Sequence, residues 1–175
     1  MSFDWAAFFE YLPRLIAAAG VTLQVSLLSL GLACLLAPVV ALARLLGPAP
    51  LRAVAQAFIE VIRGLPPLVV IAFCYFALPK LGVVLSGFWC GVLALGVVGA
   101  VYAAEIIRSA IESLGKGQFE AALALGFARW RALLEILLPQ ALRRILPPLT
   151  NEFANLIKAS SLLSVISVHE ISQVG

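Results

Sequence analysis

Two long stretches of this chain carry no charge at all. None lies between Arg14 and Arg44, and none from Leu81 to Ala104. A helix rises 1.5 Å per residue, so residues 20–43 would make a rod of roughly 36 Å, ample for a hydrocarbon layer about 30 Å thick. The whole chain is 63% hydrophobic and 12% charged over 175 residues, with a mean hydropathy of +1.08. That is too apolar for a soluble core of this size. The expected fold is therefore all-α, a polytopic membrane protein forming a single domain over residues 1–175.

Four spans are expected, at about 20–43, 53–78, 83–107 and 141–158. On the first, Thr22, Ser26 and Ser29 recur at helical spacing and give one mildly polar face. Such faces either pack on a neighbour through small residues or line a cavity. The second span is interrupted, because Gly64-Leu65-Pro66-Pro67 removes backbone donors and breaks the helix. Glu60 and Arg63 precede the break at i, i+3 and read either as a mutual ion pair near the membrane edge or as a gate. The third contains Gly82, Gly87, Gly91, Gly96 and Gly99, which allow close helix approach. The fourth holds Arg143, Arg144, Pro147, Pro148, Asn151, Glu152, Asn155 and Lys158, so it cannot face lipid all round. It would have to line a hydrated path enclosed by protein.

The net charge of +3 does not call for nucleic acid, since the basic residues are scattered among the spans. Arg108, Lys116, Arg129, Arg131, Arg143 and Arg144 make up half of the 12 basic residues, and the positive-inside rule puts them, with Arg44 and Arg52, in the cytoplasm. Three spans precede that segment, so the N-terminus faces outward. Asp4 and Glu10 come before Arg14, unlike a secretory signal. Phe3, Trp5, Phe8, Phe9 and Tyr11 fit a short interfacial helix, or else a frayed end.

No catalytic site assembles. Cys34, Cys74 and Cys90 lack metal-ligand spacing and read as small buried hydrophobes. His169 is the single histidine and reads as a loop residue. No phosphate-cradling G-x-x-x-x-G-K-[ST] occurs, so any ATP used must sit on another chain.

The segment from Glu120 to Pro139, EAALALGFARWRALLEILLP, is a polar island between apolar spans. Glu120-Ala121-Ala122 opens a short helix with an acid near its positive end, and Gly126 permits a sharp turn after it. Small alanines would let another surface approach, with Trp130 and Leu133-Leu134 adding apolar contact. The plainer alternative is an amphipathic helix lying on the membrane.

This spacing, through Ile136-x-Leu138-Pro139, resembles the EAA loop of permease subunits in ATP-binding-cassette (ABC) importers. Further blocks resemble the polar amino-acid branch of that family, the histidine, glutamine and arginine permeases. They are VTLQVSLLSL from Val21, IEVIRGLPPLV from Ile59, AVYAAEIIRSAI from Ala100, LPQALRRILPPLTNEF from Leu138 and KASSLLSVISVHE from Lys158. In the second block, Leu65 and Pro67 replace the commoner Thr and Leu.

The resemblance implies a type I importer bundle in the cytoplasmic membrane of a bacterium or archaeon. Members usually have five spans, so the last is expected to be missing here, through truncation or supply from elsewhere. It implies a second permease subunit, identical or different, two cytoplasmic ATPases carrying ATP and Mg, and an extracytoplasmic solute-binding protein. Residues 109–139 become the cytoplasmic coupling segment, with Glu120, Ala121, Ala122 and Gly126 as the coupling motif that the ATPase grips. Thr22, Asn151, Glu152, Asn155, Ser160 and Ser161 become candidates for the substrate path, or else serve helix packing and capping. Ala159 stands where many members carry an acid. The substrate is expected to be a polar amino acid, with opines or other small amines as rivals. Two other classes compete: a self-contained ion-coupled carrier or channel using Glu60, Arg63 and Glu152, and a membrane scaffold that transports nothing.

Overall fold

A computed structural model describes the backbone of residues 5–166. Among these residues all regular structure is helical. The first helix, α1, runs from Trp5 to Leu46, straight through Pro13 and Pro38. At 42 residues it is about 63 Å long. The backbone from Trp5 is thus the beginning of α1, and among the described residues no separate interfacial helix precedes the first span; Phe3 lies outside them. His169 lies outside the described residues.

The core of the bundle is the contact between α1 and α4 (Gly87–Glu112). Val25, Ser29, Ala33, Ala37 and Ala41 are all buried on α1. Their strict spacing of four makes a ridge of small side chains along the contact with α4, whose glycines admit Leu32, Ala33 and Leu156 at close range. A Cβ on Gly96 would come within 2.6 Å of Leu32 Cδ2 and 3.0 Å of its Cβ. One on Gly99 would lie 2.7 Å from Leu156 and 3.3 Å from Ala33. Ser29 Oγ donates to the Val92 carbonyl at 3.3 Å, so the polar face expected on α1 is spent largely on helix packing.

The interrupted span is two helices. Helix α2 (Ala49–Gly64) and α3 (Pro67–Ala72) meet at a bend of 106°. Leu65 is extended at φ −98°, ψ 138°, as a residue before proline must be. Pro66 and Pro67 then restart the helix in a new direction, because proline is tolerated in a first turn. Helix α3 continues through a wide π turn, Phe73–Ala77, and a tight 3-10 turn, Leu78–Leu81, to Gly82 at φ +87°. Two helices, Ile16–Leu46 and Gly87–Glu112, have the length and apolarity to cross a membrane, and the bent pair makes a third if it counts as one span.

Beyond α4 the chain makes α5 (Lys116–Ala124) and the single turn α6 (Arg129–Arg131). A π segment, Ala132–Leu137, leads into α7 (Leu138–Ala159), and a 3-10 stretch, Ser160–Ile166, closes the described chain. Helix α7 packs on α4 through Leu156, Ala141 and Ile145, its three buried residues. Its remaining faces are largely open. Cys74 and Cys90 are buried as expected, and the Cys90 thiol donates to the Cys74 carbonyl at 3.5 Å. Cys34 is exposed on an apolar flank of α1, contrary to expectation, because it falls off the buried four-residue ridge.

Candidate functional site: a capped surface helix and a cavity along α4

Helix α5 is a short projection held by its ends. Gly115 enters it at φ +83° and Gly126 leaves it at φ +85°. The exit is a Schellman motif: the Phe127 N–H bonds to the Ala122 carbonyl at 3.1 Å and the Gly126 N–H to the Leu123 carbonyl at 3.0 Å. The left-handed residue that closes such a motif favours glycine, which is the physical need for Gly126. Glu120, Ala121 and Leu125 are exposed, Leu125 at 80%. Ala122 is 2% exposed; α5 packs on the Ala132–Leu137 segment. The two alanines therefore part company. Ala121 is open to another surface, whereas Ala122 is small so that α5 can seat on its own chain. Trp130 is half-exposed, Leu133 is buried and Leu134 partly open. Gln140 Nε2 donates to Gln118 Oε1 at 2.6 Å, and Arg144 Nη1 donates to the Ser113 carbonyl at 2.6 Å. These bonds tie the N-terminal end of the projection to α7.

Charge converges elsewhere, on Glu105. Its Oε2 accepts from Arg44 Nη1 at 2.6 Å and Arg108 Nε at 3.1 Å, and its Oε1 from Arg108 Nη2 at 2.5 Å. Arg63 Nη1 stands 3.8 Å from Oε1, and Arg108 also pairs with Glu112. The C-terminal ends of α1 and α2 are thus joined to α4 through one carboxylate. The expected Glu60–Arg63 pair is not formed. Glu60 accepts from Gln56 at 2.8 Å on the exposed side of α2, while Arg63, at the bend, turns toward Glu105 and lies over the Tyr102 ring at 5.5 Å.

Of the expected path residues, Glu152 and Asn155 share a cavity of about 270 Å³ with Pro67, Val98, Tyr102, Leu156 and Ala159. The others do not line it. Thr22 Oγ1 donates to its own helix at the Ala18 carbonyl, 3.2 Å away. Asn151 is exposed on the open face of α7. Ser160 is fully buried and Ser161 exposed, donating to the carbonyls of Ile157 and Lys158 at 2.8 and 2.7 Å. Both serines cap the end of α7. Tyr102 and Glu105 were missed as site residues. The signal available was their place on one α4 stripe, Val98, Tyr102, Glu105 and Ser109.

A bundle of apolar helices, two of them or three with the bent pair long and apolar enough to cross a membrane, is the architecture of a polytopic membrane protein. Residues 29–168 match the family described as binding-protein-dependent transport system inner membrane component, and the chain belongs to it. It is 41% identical to the glutamine transport system permease protein GlnP of Escherichia coli K12, over 100% of this chain and 81% of that one. It is 40% identical to the probable amino-acid ABC transporter permease protein YckA of Bacillus subtilis, over 94% and 73% respectively. A crystal structure of an amino acid ABC transporter with histidines superposes with a TM-score of 0.89 at 35% identity, over 99% of this chain and 81% of that one. The MetNI methionine ABC transporter shares the fold, with a TM-score of 0.77 at 19% identity over 92% and 78%.

Proposed function

We propose that this chain is the membrane subunit of an ATP-driven importer for a polar amino acid, working by alternating access. The observation that carries the reading is α5: a short helix, capped at Gly126 and tied at its N-terminal end to α7, that offers Glu120, Ala121 and Leu125 outward. A helix presented in this way fits a groove on a partner, and the partner is a cytoplasmic ABC ATPase that binds ATP and Mg. Ala122 and Gly126 shape the projection, while Glu120 and Ala121 meet the ATPase. Closure of the ATPases pulls α5, and the Gln140–Gln118 and Arg144–Ser113 bonds pass the motion to α7.

The open polar face of α7, with Asn151 and Lys158, is covered by a second permease subunit, and the path runs between the two. Positive charge gathers at the end of the bundle that holds Arg44, Arg108 and Arg144, which supports a cytoplasmic α5 and an N-terminus outside. A solute-binding protein delivers substrate at the opposite face. Relatives named for glutamine and solved with histidines support a polar amino acid as cargo. Glu152 and Asn155 would hold its ammonium group, Glu152 as an ion partner and Asn155 as a hydrogen-bond acceptor. An ion-coupled carrier built on Glu60, Arg63 and Glu152 is less well supported, since these three charges do not form one cluster.

The test is reconstitution in vesicles with the ATPase and binding protein, following ATP-dependent uptake of labelled glutamine and histidine. Glu152→Gln should lower uptake roughly 10- to 100-fold, the worth of one charge-assisted hydrogen bond. Uptake that proceeds without ATPase would return the carrier reading.

A further inference from the structure

A second cavity, about 410 Å³, adjoins the first and is lined by Arg63, Tyr102, Glu105, Ser109, Ser113 and Arg144, among others. Tyr102 belongs to both cavities. Val98, Tyr102, Glu105, Ser109 and Ser113 fall three and four residues apart, so they form one stripe of α4. The two cavities are successive along that stripe, with the Tyr102 ring between them.

Their chemistries are complementary. The Glu152 cavity is lined by a carboxylate, an amide and a phenol, with no cation. The second is cationic. Glu105 is already engaged by Arg44 and Arg108, and Arg63, 43% exposed, stands 3.8 Å away, beyond hydrogen-bond reach. Arg144 donates only to the neutral oxygens of Ser113, the carbonyl and Oγ. Four arginines (44, 63, 108 and 144) therefore meet two carboxylates (Glu105 and Glu112), an excess of two positive charges. A guanidinium fork with free donors matches a carboxylate in geometry as well as charge. An amino acid in the Glu152 cavity has its ammonium satisfied there and its carboxylate unmatched.

We propose that the Arg63–Arg144 cavity is a carboxylate-binding station through which the transported amino acid leaves the Glu152 cavity, with Tyr102 as the partition. This rests on the importer reading above. Arg63 already lies over the Tyr102 ring, so an anion that draws Arg63 away also frees the partition. The plainer role for Arg144 is a fixed positive charge that orients the helix. The rival ligand is the phosphate of an anionic lipid.

The experiment uses the whole complex with its ATPase and binding protein, in a Cys34→Ala, Ser109→Cys background, in nanodiscs of neutral lipid. The thiol at position 109 is modified with an anionic and a cationic methanethiosulfonate. The anionic reagent should react about tenfold faster, because a cleft with an excess of positive charge concentrates anions. Arg63→Gln with Arg144→Gln should bring the ratio near one. A mixture of L-amino acids should slow the anionic reaction several-fold, and their α-amides should not. In vesicles, Arg63→Gln alone should lower uptake about tenfold, with Arg63→Lys recovering part of it, while ATP hydrolysis stimulated by loaded binding protein persists. A ratio near one in the unaltered cavity, unchanged uptake in Arg63→Gln, or protection by phosphatidylglycerol rather than amino acids would each overturn the assignment. The importer reading fails separately, by the absence of ATP-dependent uptake in the unmodified complex.

Discussion

Helices α4 and α7 are similar in length, 26 and 22 residues, yet α4 buries fourteen residues and α7 three. Helix α4 is finished by its own chain. Its glycines accept α1 and Leu156, and its charged end is bound by arginines from two neighbours. Helix α7 is half-finished, with Arg143, Asn151, Asn155 and Lys158 on open faces. In a hydrocarbon layer such a surface is costly unless protein or water covers it. The difference separates two kinds of selection on one chain: α4 is shaped by packing within the subunit, and α7 by what lies beyond it.

The comparison breaks most readily at the charged end of α4. Glu105→Gln removes the negative charge shared by Arg44, Arg63 and Arg108, leaving Arg44 and Arg63 without an anionic partner among the described residues while Arg108 keeps Glu112. Losing one partner of a buried pair costs roughly 3–5 kcal/mol, and somewhat less at this partial exposure. The midpoint of thermal unfolding in detergent should fall accordingly, and an unchanged midpoint would mean that α1 and α2 are held by apolar packing alone. A smaller effect is expected in the groove. Gly96→Val drives new methyl groups into Leu32, and overpacking of this kind costs about 1–3 kcal/mol, read by the same melt. The smallest stability effect belongs to α7. Asn151→Leu should change the midpoint by no more than about 0.5 kcal/mol equivalent, yet it should lower uptake because it places an apolar group on the path. A clear rise in stability with uptake intact would mean that Asn151 faces lipid, and the contrast between the helices would lose its meaning.

The apolar half of the molecule was legible because it follows from local pattern. Uncharged runs announced α1 and α4, and Gly64-Leu65-Pro66-Pro67 announced the break between α2 and α3. The 106° bend was not legible, since prolines forbid continuation without choosing a direction. The pairing of Arg63 was misread for a related reason. Glu60 sits one turn away along the helix, but the bend carries Arg63 to Glu105, a contact between segments far apart in sequence. On α5, the helix and its terminal glycine were readable from spacing. Which alanine faces inward depended on the Ala132–Leu137 segment folding back beneath it. The family resemblance implied the path residues together. The structure brings Glu152 and Asn155 to one cavity, since they share a helix at i, i+3, whereas Thr22, Ser160 and Ser161 donate to backbone carbonyls of their own segments. Tyr102 entered the site only through the packing of α4 against α3 and α7.

The most direct test of the division between a driven helix and a path helix is co-purification with the ATPase from detergent. Three forms are compared: the unaltered chain, Gly126→Asp in the cap of α5, and Asn151→Leu on the open face of α7. The account predicts that the ATPase is retained by the first and third and lost from the second, because an aspartate at φ +85° strains the Schellman turn and displaces the projection. Retention by Gly126→Asp, or loss from Asn151→Leu alone, would contradict it and move the docking surface away from α5.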